Sequence, residues 1–134
     1  MSVPSSASLP LPVFTDNPVA LAQAGRYAEI CVDAARVLAD WRRSLFAHEL
    51  LDADGRVKGD EDLSETRLEK REAARARLRS GAALEKPILG IGIFDNVEIG
   101  AGSDVLALLV LEGCTAVPVH VRSGQVSDFK AFVV

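Results

Sequence analysis

The sequence predicts an α+β fold: two N-terminal helices packed on a small, mostly antiparallel sheet of about four strands, with one buried helix inserted. Three observations carry that expectation. Residues 88–121 are mainly Ile, Leu, Val, Ala and Gly, with four acidic residues (Asp95, Glu98, Asp104, Glu112) and no Lys or Arg. The core must form there. Ahead of that stretch lie two helix-like patterns. Within and after it, short alternating runs separated by glycine and Asx turns read as strands.

The 134 residues suit one domain that buries roughly two-thirds of its unfolded surface without a metal or disulfide. We expect a tail over residues 1–15 and the domain over 16–134. Hydrophobic residues make up 49% and charged residues 25%, ordinary globular values. A net charge of -4 and a pI near 5.1 argue against bulk nucleic-acid binding, though not against a local basic patch. Cys31 and Cys114 form no CxxC pair, which removes the usual zinc and thioredoxin-like patterns. Sparse cysteine fits a reducing compartment. The N-terminus shows no signal-peptide pattern. The longest apolar run, Val105 to Leu111, is too short to cross a bilayer. A cytoplasmic protein with no membrane contact is expected. Arg outnumbers Lys by 11 to 4 and Ala is plentiful, as in proteins of GC-rich bacterial genes.

Along the chain, Pro4, Pro10 and Pro12 favour extended backbone in the first fifteen residues. Residues 1–8 read as a tail. Leu9, Leu11, Val13 and Phe14 offer apolar surface to a groove of this subunit or a neighbour. Asp16-Asn17-Pro18 is a helix start, with an Asx cap followed by proline. Ala24, Tyr27, Cys31, Ala34, Leu38, Trp41 and Leu45 then follow at spacings of three and four, widened by Ile30 and Val37. That stripe predicts an amphipathic helix over 17–51, bent or divided at Gly25, with Cys31 buried on its apolar side.

Residues 49–65 (ELLDADGRVKGDEDLSE) place Asp52, Asp54, Gly55, Val57 and Glu61 on positions 3, 5, 6, 8 and 12 of an EF-hand loop. Leu50 stands where the leading carboxylate belongs and Lys58 adds a repelling charge. A polar turn at Asp54-Gly55 is therefore expected, and no metal. Asp62 and Glu65 make a capping box for a second helix over 62–80, ended by Gly81. Arg67, Arg71, Arg75 and Arg79 form a ridge on it. Like charges at that spacing cost about 0.2–0.5 kcal/mol per pair in an isolated helix, so carboxylates or solvent should compensate, or an external anion.

Ile88 to Phe94 alternates, with Leu89, Ile91 and Ile93 on one face. Asp95-Asn96 suits a tight turn, and Val97 and Ile99 resume the alternation, so a hairpin is expected. Gly90 and Gly92 on the opposite face leave room for close approach. Ser103 or Asp104 can cap a helix through VLALLVLE, closed by Gly113; Leu and Ala favour helix there, with a strand over 105–111 as the alternative. It is apolar all round and must be buried all round, which suggests a dimer interface. Ala116 to Val121 reads as a strand, with Pro118 implying an edge or bulge. After a Ser123-Gly124 turn, Val126 to Val134 reads as the last strand.

The segment VEIGAG (residues 97–102), with the helix and strand after it, resembles the first motif of the class I methyltransferases. Glycines there let backbone approach a cofactor at a helix N-terminus. The likeness covers residues 97–121 only. The acid that should end the second strand is absent, since His120, Val121 and Arg122 stand there, and one further strand cannot complete that sheet. No cofactor is expected.

The remaining candidates are two groups. Gly100, Gly102, Ser103, Asp104, Cys114 and His120 are the ligand-binding set, with Cys114 and His120 a thiolate–imidazole pair if their side chains meet. Arg67, Arg71, Arg75 and Arg79 are the anion- or partner-binding set. His48 and Glu49 at a helix end read as a dipole contact. No phosphate-binding loop or nucleophile elbow is present. The favoured function is a non-catalytic interaction or regulatory protein, homodimeric. The alternatives are a small-molecule or cofactor-binding enzyme using Gly100 to Asp104 and His120, and an acidic-partner or nucleic-acid binder using the arginine ridge.

Overall fold

The computed structural model describes residues 11–134. It is an α+β structure built on a four-stranded sheet. Strand β2 (Tyr27–Asp33) pairs antiparallel with β6 (Ala116–Arg122). β6 pairs parallel with β4 (Ile88–Ile91), and β4 pairs antiparallel with β5 (Val97–Ala101), giving the order β2-β6-β4-β5. A separate parallel pair joins β1 (Phe14–Thr15) to β3 (Leu84–Glu85). The helices are α1 (Pro18–Ala22), α2 (Ala34–Trp41), α3 (Glu65–Ser80) and α4 (Ser103–Leu111).

The core sits on one face of the sheet. Val32, Leu89, Val117, Val119 and Val121 point into it, against Val37, Leu38 and Trp41 of α2, Leu78 of α3 and Leu106, Leu108 and Leu109 of α4. The helix α4 is buried on nearly every side by this one chain, as its all-apolar sequence demands. Its coverage therefore requires no second subunit, and the dimer argument drawn from it lapses. Gly102, in a left-handed conformation, is its N-cap, not Ser103 or Asp104.

The expected helix over 17–51 is four elements: α1, β2, α2 and a 3-10 turn over Ala47–Glu49. Asn17 caps α1 through its side chain, which accepts from Val19 N–H, and Pro18 is the first helical residue, as expected. The helix then stops after five residues. Gly25 turns the chain at φ +83, and residues 27–33 extend as an edge strand. The same residues that fit a 3.6-residue stripe also alternate: Ala28, Ile30 and Val32 on one face, Tyr27, Glu29 and Cys31 on the other. With Ile, Val and Tyr among them, strand pairing to β6 outweighs helix propensity. Cys31 is consequently exposed instead of buried. Asp33 then caps α2, its carboxylate accepting from Arg36 N–H.

The second helix begins at Glu65 with Ser64 as its cap, and Asp60–Asp62 form a single 3-10 turn ahead of it. Gly81 closes it at φ +77. Residues 51–57 form the expected polar turn. Asp52 Oδ1 accepts from Asp54 and Arg56 N–H at 2.9 and 3.0 Å, so this carboxylate closes its own loop.

β6 is an inner strand, not an edge. Pro118 is tolerated because β6 pairs with β4 only at His120 and Val121, so the side where its N–H would point carries no ladder. The last segment is not a strand. Residues Ser123–Phe129 form 3-10 turns that drive Phe129 into the core, and only Val133 bridges back to Val32. At the other end, the docked part of the N-terminal segment starts at Val13, whose carbonyl accepts Leu84 N–H. The tail over 1–8 and Leu9 lie outside the described residues.

Candidate interaction surface

Two turns at one end of the sheet break the usual chemistry of turns in the same way. Beyond α2, Ser44 N–H donates to Trp41 O at 2.7 Å, and Ala47 N–H returns to Ser44 O at 3.3 Å. Leu45 and Phe46 occupy the two central positions of that second turn. In the β4–β5 connection, Asp95 N–H donates to Gly92 O at 3.0 Å, which puts Ile93 and Phe94 at the centre of the other. Turn centres favour Pro, Gly, Asn, Asp and Ser, which solvate well or set the backbone. Here all four positions are large and apolar. They are 85%, 66%, 94% and 80% exposed in the order Leu45, Phe46, Ile93, Phe94.

Polar contacts bind these turns side by side. Glu98 accepts from Ser44 Oγ at 2.6 Å and from Asn96 Nδ2 at 3.0 Å. Arg43 donates to the Asp95 carbonyl at 3.3 Å and to Asp40 at 2.7 Å. The second oxygen of Asp40 accepts Val97 N–H at 2.7 Å, capping the open edge of β5. Asp95 itself is held at φ +60, a left-handed conformation that costs a non-glycine residue about 1 kcal/mol. A fixed, strained turn thus presents two hydrophobic side chains to water. A large exposed apolar group rimmed by polar residues marks an interaction site.

The arginine ridge is largely consumed inside the molecule. Arg67 bridges Glu49 and Asp104, at 2.9 Å to each. Arg71 is fully buried, with Nη1 donating to Lys58 O at 2.6 Å and to Asp60 at 3.2 Å. Arg75 grips both oxygens of Asp60 at 3.0 Å. Arg75's hydrogen bond, then Arg71's, holds the Asp60 carboxyl below its ordinary range, and Arg67 does the same to Glu49. Arg79 is exposed at the end of α3 and makes no ion pair among the described residues.

The ligand-binding set does not converge. Gly100 is exposed on β5. Gly102 is a glycine because of packing: at φ +86, a Cβ there would lie 2.9 Å from Pro87 Cα. Ser103 opens α4, and Asp104 is committed to Arg67. Pro87 stands between Gly102 and His120, its carbonyl accepting His120 N–H at 2.9 Å. The His120 side chain faces the other side of the sheet. There its Nε2 accepts Asn17 N–H at 3.1 Å, beside Asp16 at 3.8 Å, and it lines a cavity of about 260 Å³ with Asp16, Tyr27 and Glu29. Lys86 donates to both Asp16 and Glu29 at 2.6 Å, which lowers the Asp16 pKa and raises that of Lys86. Cys114 lies beyond the far end of β6. Residues 116 to 120 alone span about 13 Å of strand, so thiol and imidazole do not meet. Burial, and secondarily Glu112, pushes the Cys114 thiol pKa up, the opposite of an activated nucleophile. Among the described residues, no group of three or more His, Cys, Asp or Glu side chains is placed to hold a metal ion. His48 Nδ1 lies 2.9 Å from the Leu45 carbonyl, a local contact at the end of the first turn.

The apolar turns escape a periodicity reading because Leu45 extends a helical stripe and Ile93 an alternating strand. The available signal was Leu-Phe directly after Ser44 and Ile-Phe between Gly92 and Asp95-Asn96: paired hydrophobes where turn residues flank them. No helix of the described residues is long and apolar enough to cross a membrane. Comparison of the chain with protein-family models, with curated proteins and with solved structures finds no match.

Proposed function

We propose that this chain is a small non-catalytic interaction or regulatory protein of the cytoplasm, working through the paired turns at 44–47 and 92–95. The carrying observation is the four apolar side chains at the centres of two hydrogen-bonded turns, where burial within the chain gains nothing from them. Homodimerisation is the simplest form of that activity. A photo-reactive phenylalanine analogue in place of Phe94 tests the reading. On irradiation in cells producing the protein, it should give a discrete cross-linked protein adduct, while the analogue in place of Val126, on a different segment, should not. No discrete adduct at position 94 overturns it.

A further inference from the structure

We propose that the partner of the paired apolar turns is a second copy of this chain, docked about a two-fold axis so that turn 44–47 of each copy packs on turn 92–95 of the other. This rests on the interaction reading above and names its partner. Three observations favour a second copy over a foreign surface.

The first is self-complementarity. A two-fold contact uses the same patch on both partners, so whatever one turn offers, the other must receive. Here the patch holds two apolar halves, Leu45-Phe46 and Ile93-Phe94, linked by the Ser44–Glu98 and Arg43–Asp95 contacts. A second copy related by a half-turn would set turn 44–47 of each on turn 92–95 of the other.

The second is charge. Both signs border the patch. Arg43 has a half-exposed guanidinium, and the exposed Asp95 carboxylate makes no ion pair among the described residues. A partner surface of one sign meets one of these unfavourably. A second copy brings its own Asp95 to Arg43, where it would share the guanidinium with Asp40, and its own Arg43 to the unpaired Asp95.

The third is area. At about 150 Å² for each large apolar side chain, the four present about 600 Å², against about 800 Å² per partner in a standard specific interface. The flanking polar residues supply the remainder as a rim. The patch therefore has the size of one small dimer interface.

Sedimentation velocity of the full chain between about 1 and 100 µM decides the matter. The native protein should be a dimer. Leu45→Asp and Phe94→Asp, at exposed positions, should keep the native circular dichroism spectrum and each weaken association by about 100-fold, as central apolar contacts do. Val126→Asp should leave the dimer unchanged. Asp95→Lys should weaken it about tenfold, because it sets a cation against the Arg43 guanidinium across the axis. A native protein that stays monomeric at about 100 µM overturns the second-copy proposal. The interaction reading then stands or falls separately, on whether the position-94 cross-link forms to a different protein. A dimer indifferent to both Leu45→Asp and Phe94→Asp overturns the docking mode, as does one that Asp95→Lys leaves unchanged.

Discussion

Arg71 carries a permanent charge at a position with no exposed side-chain surface. Its Nη1 is satisfied by Lys58 O and Asp60, but Nε and Nη2 have no hydrogen-bond partner among the described residues. Such a group is stabilised by its counter-ion more than it stabilises the fold. The two changes that disturb it should therefore differ. Asp60→Ala leaves a buried cation without its carboxylate and releases Arg75 as well; with Asp60 itself partly exposed, it should cost about 2 kcal/mol. Arg71→Met removes the charge and its unpartnered donors together and should cost less than half of that. Urea unfolding midpoints compare the two directly. The same pair sets an acid limit. The folded-state pKa of Asp60 lies below its unfolded value near 3.8, so its stabilising contribution is present above about pH 4 and is lost as pH falls through the folded value. Asp16 and Glu49, lowered by Lys86 and Arg67, act in the same direction. Stability should be level from neutrality to about pH 5 and decline below that. Asp60→Asn should show the shallower decline; an unchanged acid profile would remove Asp60 from the account.

At the scale of elements, what could be read depended on whether local signals agreed. The helix ending at Gly81 and the strands at 88–91 and 97–101 were legible, because glycines and periodicity pointed the same way; residues 105–111, apolar all round, carry no period and left helix and strand both open. Residues 24–33 were not. Their apolar positions satisfy a helical and an alternating pattern at once, and only the pairing of seven residues with β6 decides between them. The ridge arginines were legible as needing compensation, but Asp60 and Glu49 as the compensating groups come from tertiary folding. Glycine meaning was only half visible too. Gly25 and Gly102 both have positive φ, yet they differ in surroundings. A Cβ at Gly25 would meet nothing within 4 Å, whereas at Gly102 it would strike Pro87 at 2.9 Å. Gly25→Ala should cost about 1 kcal/mol from backbone strain alone. Gly102→Ala adds overpacking against a rigid ring and backbone, and should cost about 1–3 kcal/mol more. Equal losses in thermal denaturation would mean that the Pro87 contact relaxes freely.

Over the whole molecule, the sheet has two edges, and each is closed by a different device. Asp40 of α2 accepts Val97 N–H on the β5 side. On the β2 side the final residues act as a partial fifth strand: Asp33 N–H donates to Phe132 O at 2.7 Å, and Val134 N–H to Cys31 O at 3.1 Å. Edge strands left open are templates for pairing with other chains. Removing residues 132–134 uncovers the backbone of Cys31 and Asp33 while Phe129 stays in place to fill the core. The shortened protein should keep its helices and sheet but form large, concentration-dependent species, followed by light scattering. These species differ in kind from the proposed dimer. Strand pairing at β2 uses backbone groups remote in sequence from both apolar turns, so Phe94→Asp should not prevent it, although the same substitution should weaken a dimer built on the turns about 100-fold. If Phe94→Asp suppresses both, the turns and not the edge drive all self-association of this chain, and the C-terminal residues serve only to bury Val32 and Phe129.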